Sequence, residues 1–421
     1  MTPRRRPTTV DPVSAAGSRV TRAAVIGVVV LTLVAAPSCA RHDDSAAPPA
    51  TTGSPAPQLP HPLPTAPAPN VAAVGDIPSI SQVVDDAIAA PRLPGAVVQI
   101  GHDGKVVLRR AFGERKLAGE PGLDGVPSAA EAMTVDTVFD LASLTKILGT
   151  TTAVLQLYEQ GRVHIDDPVQ TYLPGFNATD DPVRAQVTLR MLLTHTSGIG
   201  GDLSHQGPWG LTAPDKADGI HRALTAPLEF APGELFHYSD IGFIILGALV
   251  EQITGQPLDE YVQEHVFAPL QMTDTRYLPA AKVCGPHRIR GTAVAFDKDA
   301  AAVAGCPDDS WSTDLLSRIA PTARDEDTPG INPDFDDLLR GTVHDPTARR
   351  MGGVAGSAGV FSTAADVGKY AQALLDRLAG RPSLFPLKQS TLELMTTPQQ
   401  PGHFPGQVAL ANAATRAAIA A

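Results

Sequence analysis

The chain of 421 residues has few of the patterns that hold metal ions or nucleic acids. It contains three cysteines and twelve histidines, but no Cys-x-x-Cys or His-Glu-x-x-His spacing. We therefore expect no metal site and no cofactor. Acidic residues outnumber basic ones, 44 to 33, and the formal net charge is −11. That balance argues against nucleic acid as a partner.

The N-terminus lacks a full membrane span and is typical of an export signal. Five arginines among the first 22 residues precede an apolar stretch from Ala23 to Ala36, which is too short to cross a membrane comfortably. The stretch ends in Ala36-Pro37-Ser38-Cys39, which resembles a bacterial lipoprotein cleavage box with Cys39 lipidated. We predict a lipoprotein-type signal peptide over residues 1–38. A plain signal peptide with an incidental cysteine is the alternative.

Residues 39–75 are predicted to be a disordered tether. This segment is rich in proline and alanine and cannot bury enough apolar surface to fold alone. Together with the signal peptide and Cys39, this tether predicts an exported protein, lipid-anchored to the outer face of the cytoplasmic membrane. Residues 76–400 contain the predicted domain, with an irregular insertion over 280–346 and an atypical tail over 401–421.

Two cysteines remain within the predicted domain. Cys284 and Cys306 both lie in the irregular insertion. In an exported protein, two such cysteines favour a disulfide. Two separate buried thiols are the alternative.

The start of the domain carries a β-hairpin signal. Gly95–Gly101 and Lys105–Phe112 are strand-like runs joined across His102-Asp103-Gly104. Asp-Gly between apolar runs is a strong turn signal. An antiparallel sheet edge is therefore predicted ahead of the site residues.

Ser143 and Lys146 are the candidate nucleophile and base. They are three residues apart at the start of an apolar stretch with helical spacing that runs to Tyr158, so a helix would place both on one face. A serine hydroxyl needs an adjacent base, and a lysine can be that base where burial disfavours its charged form. Ser-x-x-Lys alone is weak, because most matches are ordinary helix starts. In this chain the pattern occurs once.

Tyr238 and Asp240 lie in the turn that begins a second apolar helix, predicted from Gly242 to Ile253. A tyrosine there can share or shuttle a proton with Lys146. Asp240 can also cap the helix. His195 precedes a Thr-Ser-Gly turn, which favours a structural hydrogen bond over a role as the base of a triad.

A glycine-dense stretch, Met351–Thr363, has two interpretations. It could cradle a phosphate, but no Lys-Ser or Lys-Thr follows to meet phosphate and metal. Close packing of a loop or strand is therefore favoured.

Together these stretches resemble the penicillin-recognising serine hydrolases: the serine beta-lactamases, the DD-peptidases and their esterase relatives, nearest the class C-like branch. Phe139-Asp-Leu-Ala-Ser143-Leu-Thr-Lys146 resembles the first family motif, and Tyr238-Ser-Asp240 resembles the second, which is usually Tyr-x-Asn. Leu192-Leu-Thr-His195-Thr-Ser-Gly198 resembles a signature with a structural role, and Gly353–Thr363 a loop of the esterase-like members.

The resemblance implies an α/β (α+β) fold, in which an antiparallel sheet flanked by helices carries a mostly helical second domain. It also implies that Ser143 is acylated, that Lys146 is its base, and that Tyr238 assists and then activates the deacylating water. Asp240 would contact the substrate. The implied function is a cell-envelope serine hydrolase acting on an ester, a D-amino peptide or a beta-lactam, with a small-molecule or peptidoglycan-like substrate. These residues serve all three substrate classes, and nothing in the sequence specifies an oligomer.

The family's third motif, Lys/His-Thr/Ser-Gly, is not found after Thr363. In the family this motif leads to the N–H that completes the oxyanion hole with that of Ser143. Gln407–Ala421 is alanine-rich and has no alternating strand pattern, so we expect the C-terminal strands to be missing. The alternative function is therefore a non-catalytic or truncated member that binds substrate without turnover.

The anchor prediction can be tested by detergent partitioning. The wild type should enter the detergent phase, because lipid on Cys39 adds apolar surface, and Cys39→Ala should stay in the aqueous phase. Equal partitioning of the two proteins into the aqueous phase would rule out the lipid anchor.

Overall fold

A computed structural model of the chain describes residues 73–300 and 306–399. The described residues all belong to one compact unit. The predicted signal peptide over 1–38, Cys39, nearly all of the tether and the tail over 401–421 lie outside the described residues. They stay predictions.

Helices make up most of the regular structure. The α-helices are α1 (Pro78–Ala89), α2 (Thr152–Glu159), α3 (Leu189–Leu193), α4 (Lys216–Thr225), α5 (Asp240–Thr254), α6 (Leu258–Val262), α7 (Pro346–Arg350), α8 (Ala364–Leu378) and α9 (Gln389–Thr396). Two π-helical segments, Lys146–Thr151 and Gln263–Phe267, join α2 and α6 respectively.

The strands are short apart from the first two. They are β1 (Gly95–His102), β2 (Lys105–Lys116), β3 (Glu131–Ala132), β4 (Phe139–Asp140), β5 (Arg276–Tyr277), β6 (Val283–Cys284), β7 (His287–Arg290), β8 (Ala293–Phe296), β9 (Trp311–Ser312) and β10 (Val360–Ser362). Two antiparallel sheets have three strands each, in the orders β1-β2-β3 and β4-β10-β5. The mixed α/β class agrees with the prediction, but the described sheet is divided into these small parts.

The predicted hairpin is present at β1 and β2. Asp103 and Gly104 both have positive φ, 49° and 73°, which is the conformation that a two-residue hairpin turn needs. The register pairs His102 with Lys105 and Gly95 with Gly113. The long antiparallel pair therefore follows from local turn chemistry.

Helix α5 is the centre of the core. Ten consecutive residues, Ile241–Val250, are buried, so the helix is apolar all round and is covered on every side. The Ser239 hydroxyl accepts a hydrogen bond from the Gly242 N–H at its start, and Gly255 at φ 74° ends it. The N-cap is thus Ser239, not Asp240, whose side chain is left for another contact.

The predicted insertion over 280–346 is irregular but not loosely attached. A disulfide joins Cys284 to Cys306, with 5.7 Å between their Cα atoms. Asp325 and Asp327 form buried ion pairs with Arg349 (2.6 Å) and Arg350 (2.7 Å) of α7. These ion pairs fasten the insertion to the helix that follows it.

Among residues 73–300 and 306–399, no single helix is long and apolar enough to cross a membrane. Asp240–Thr254 and Leu258–Phe267 meet that length and composition only as a pair bent by 82°.

The glycine-dense stretch packs closely, as predicted. Gly356 lies against α5, where a Cβ atom would clash with the Phe243 carbonyl oxygen and lie 2.9 Å from the Gly247 nitrogen. The Gly356 carbonyl accepts a hydrogen bond from the Thr150 hydroxyl (2.8 Å). Only glycine allows this loop to approach both the core helix and the segment that carries Lys146.

We expect Gly356→Ala to destabilise the protein by about 1–3 kcal/mol, because the added methyl group forces two backbone segments apart. Gly175→Ala is the matched control, since its Cβ would meet only Leu224 Cδ1 at an ordinary 3.6 Å. Urea unfolding of both variants measures the difference. Equal midpoints for the two variants would contradict close packing at Gly356.

Candidate active site

Ser143 lies in a tight turn between β4 and the π-helical segment. The Leu141 N–H donates to the Val360 carbonyl (2.9 Å), which fastens the turn to β10. Ala142 has φ 46°, an uncommon conformation for a residue other than glycine. Asp140 stabilises this turn, because its carboxylate accepts hydrogen bonds from the Ala142 N–H (2.9 Å) and the His344 N–H (2.8 Å). The Ser143 side chain is thereby held at an exposed position.

Lys146 is buried directly beside this serine. It is 3% exposed, and its Nζ donates to the Ser143 Oγ and to the Ser357 carbonyl, each at 3.0 Å. It lies in the π-helical turn Lys146–Thr151, where an ordinary α-helix was predicted. Such turns are rare inside helices and are frequent at functional sites.

Asp240 supplies the charge opposite Lys146. Its Oδ1 lies 2.5 Å from the Lys146 Nζ, and the two side chains are 15% and 4% exposed. No described residue donates a hydrogen bond to this Oδ1. The contact is therefore an ion pair at the first residue of α5, although the sequence suggested a cap or a substrate contact.

Tyr238 borders the opening of the site. Its side chain is 46% exposed, and the Lys146 Nζ lies 5.0 Å from its ring centroid. The ring stacks on that of His195, with 4.4 Å between centroids. Its hydroxyl makes no hydrogen bond with a described residue, so it is available to substrate or water.

His195 orients the turn that carries Tyr238 and Asp240. Its Nδ1 accepts a hydrogen bond from the Ser239 N–H (3.1 Å), and its carbonyl accepts one from the His237 N–H (2.7 Å). Burial, followed by the nearby charge of Lys146, lowers the pKa of His195 to about 4. The ring is therefore neutral at ordinary pH and keeps an acceptor nitrogen toward Ser239, which is the structural role expected from the sequence.

Two further carboxyl groups lie near the ion pair and were missed by the sequence analysis. Burial, and next the charge of Asp240, raise the pKa of Asp202 to about 6. Burial also raises the pKa of Asp345, with the charge of Asp240 adding to it and that of Lys146 opposing it. Asp202 lies in a Gly/Asp-rich loop and Asp345 caps α7 by accepting from the Ala348 N–H. No motif or spacing in the sequence connects either residue to Ser143.

The arrangement provides a nucleophile, a proton acceptor and a free backbone donor. Ser143 presents its hydroxyl to solvent and to Lys146, and its N–H makes no hydrogen bond with a described residue. A free N–H at this point can stabilise a developing oxyanion. Within residues 73–300 and 306–399, no group of three or more His, Cys, Asp or Glu side chains is placed to hold a metal ion.

An exposed serine within hydrogen-bond reach of a buried lysine, with a helical region between β4 and β5 of one antiparallel sheet, is the arrangement expected of acyl-transferring serine enzymes that use a lysine as base. The comparison with protein families gives the particular family. Residues 80–411 match the family model described as Beta-lactamase. The chain belongs to the beta-lactamase family, as the sequence motifs predicted.

Relatives in this family differ in their named activities. The chain is 32% identical over 305 residues to the "Putative D-alanyl-D-alanine carboxypeptidase" of Escherichia coli K12, covering 70% of this chain and 62% of that protein. It is 32% identical over 329 residues to the N-acetylmuramyl-L-alanine amidase of Bacillus subtilis 168, covering 76% and 67%. The chain thus spans about 62% of the length of the Escherichia coli relative.

A solved structure supports the fold. Simvastatin synthase (LovD) from Aspergillus terreus matches with a TM-score of 0.53 and 27% sequence identity, over 78% of this chain and 74% of that one. The predicted fold class is therefore confirmed.

We predict that His195→Asn changes how stability depends on pH. Between pH 6.5 and about 4 the unfolded histidine takes up a proton while the buried ring does not, so the wild type loses stability as pH falls through this range. Asparagine does not titrate, and it tolerates the φ of 57° at this position.

The thermal midpoint of the wild type should exceed that of His195→Asn at pH 7. The difference between the two midpoints should narrow as pH falls toward 4. A difference that stays constant over this range would show that the pKa of His195 is not lowered in the folded protein.

Proposed function

We propose that this protein is a cell-envelope serine hydrolase that works through an acyl-enzyme on Ser143. The observation that carries the proposal is the 3.0 Å contact between the exposed Ser143 hydroxyl and the buried Lys146 amine. A serine becomes a useful nucleophile when a base lies within hydrogen-bond reach. Membership of the beta-lactamase family supports the same chemistry.

In the acylation step, Ser143 Oγ attacks the carbonyl carbon of an amide or ester. Its proton passes to Lys146, and the carbonyl oxygen becomes an oxyanion near the Ser143 N–H. Lys146 then returns a proton to the leaving nitrogen or oxygen as the bond to carbon breaks. Tyr238, exposed above Lys146, would assist this transfer and then activate the water that hydrolyses the acyl-enzyme.

The proposed substrate class is an alanine-containing amide of a peptidoglycan-like peptide. The names of two relatives support it, because a D-alanyl-D-alanine carboxypeptidase and an N-acetylmuramyl-L-alanine amidase both cleave amide bonds next to alanine. Esters and beta-lactams present the same kind of acyl carbon, so a substrate screen should include both classes. The exported, lipid-anchored location predicted from residues 1–39 would place the protein beside such a substrate.

Labelling with a fluorophosphonate probe tests the nucleophile. The wild type should be labelled at Ser143, Ser143→Ala should lose the label, and Lys146→Ala should be labelled about 10²–10⁴-fold more slowly because the proton acceptor is gone. Lys105→Ala is the matched control, since this lysine is exposed at the hairpin turn.

Peptide mass mapping of the labelled protein gives the site directly. No label on wild-type Ser143 would favour the non-catalytic alternative. An acyl label from a D-alanyl-D-alanine peptide that forms with release of D-alanine but is not hydrolysed would favour a protein that binds substrate without turnover.

A further inference from the structure

The residue that touches the base is a carboxylate, although the motif it resembles usually has an amide there. Asp240 Oδ1 lies 2.5 Å from the Lys146 Nζ, and that Nζ lies 3.0 Å from the Ser143 Oγ. The three groups form a short chain in the order hydroxyl, amine and carboxylate. An asparagine at position 240 could accept a hydrogen bond but could not take up a proton.

An ammonium group cannot accept the proton of Ser143 until it has lost one of its own. Lys146 is almost fully buried and Asp240 largely so, which limits direct exchange with water. The Asp240 Oδ1 lies 2.5 Å from Nζ, closer than the Ser143 Oγ or the Ser357 carbonyl oxygen, each at 3.0 Å. The nearest acceptor for a lysine proton is therefore this oxygen.

We propose that Asp240 is the proton acceptor that makes Lys146 a base, so that the site works as a Ser143–Lys146–Asp240 relay. This inference rests on the proposed function. A proton moves from Nζ to Oδ1, and the electron pair of the broken N–H bond stays on nitrogen. Lys146 then takes the proton of Ser143 as the Oγ–C bond forms and the carbonyl π pair moves to oxygen. When the intermediate collapses, Lys146 protonates the leaving group and Asp240 returns its proton to Nζ.

The groups around the pair determine when the relay is available. Asp202 and Asp345 face Asp240 from the loop before α4 and from the cap of α7, and the charge of Asp240 contributes to the raised pKa of each. His195 and Tyr238 also lie beside the pair. The relay needs one exchangeable proton on the pair, and it stops when acid adds a second.

The test is the pH dependence of fluorophosphonate labelling of Ser143, measured as a second-order rate constant. If the relay operates, the acidic limb of the wild-type pH–rate profile, where labelling slows as pH falls, is expected to come from protonation of the Lys146–Asp240 pair. Asp240→Asn is nearly isosteric and removes the carboxylate that would take the proton of Lys146. Its acidic limb should lie about one pH unit or more higher, with the rate falling about tenfold per unit below it.

Two results for Asp240→Asn would overturn the relay. A limb that moves to lower pH would show that Asp240 only holds Lys146 in its cationic form. An unchanged limb would show that the contact has no part in the proton transfer. No labelling of the wild type at any pH would overturn the proposed function itself, which separates the two failures.

Two matched variants complete the test. Asp202→Asn removes a neighbouring carboxyl group but leaves the pair, so its limb should stay or move to lower pH, because no negative charge is left at position 202 to favour protonation of its neighbours. If the limb of Asp202→Asn moves upward as far as that of Asp240→Asn, the effect comes from the overall charge of the pocket, and the relay is overturned. Asp240→Glu keeps a carboxylate and should keep a wild-type-like limb even if Asp240→Asn folds poorly, whereas an upward shift there would contradict the proposal.

Discussion

The site depends on the burial of one charged side chain, Lys146. A buried ammonium is costly unless its protons find acceptors and its charge finds a partner. Here the acceptors are the Ser143 hydroxyl and the Ser357 carbonyl, and the partner is Asp240. These come from three segments that are far apart in the chain. Forming the contacts of Lys146 therefore assembles the nucleophile turn, the glycine loop and the start of α5 at one point.

The packing of α5 makes this assembly rigid. Its residues Ile241–Val250 are buried on all sides, so the helix start that carries Asp240 has a fixed position. Gly356 allows the loop to lie directly on the helix, and the next residue presents its carbonyl to Lys146. Core stability and site geometry thus rest on the same contacts, because the same loop packs on the helix and binds the lysine.

The pocket contains more acidic side chains than basic ones. Asp202, Asp240 and Asp345 surround one buried lysine, and the pKa values of Asp202 and Asp345 are raised, to about 6 for Asp202. His195 stays neutral because burial and the lysine charge oppose its protonation. A base in acyl transfer must take up a proton and give it back, and the proposed relay assigns that step to Lys146 and Asp240.

The sequence by itself determined the family, the hairpin and the pairing of Ser143 with Lys146. The family follows from several short motifs in the expected order. The hairpin and the Ser143–Lys146 contact depend on residues close together in the chain: a two-residue turn at Asp103, and a spacing of three that one helical turn brings into contact. Tertiary structure alone decided that Asp240 pairs with Lys146 and that Asp202 and Asp345 lie beside them. Those contacts join segments about 60 to 200 residues apart, and which carboxylates meet there depends on packing against α5 and α7. A local pattern specifies geometry within a turn or helix, whereas the pairing of distant charges appears only when the core has brought their backbones together.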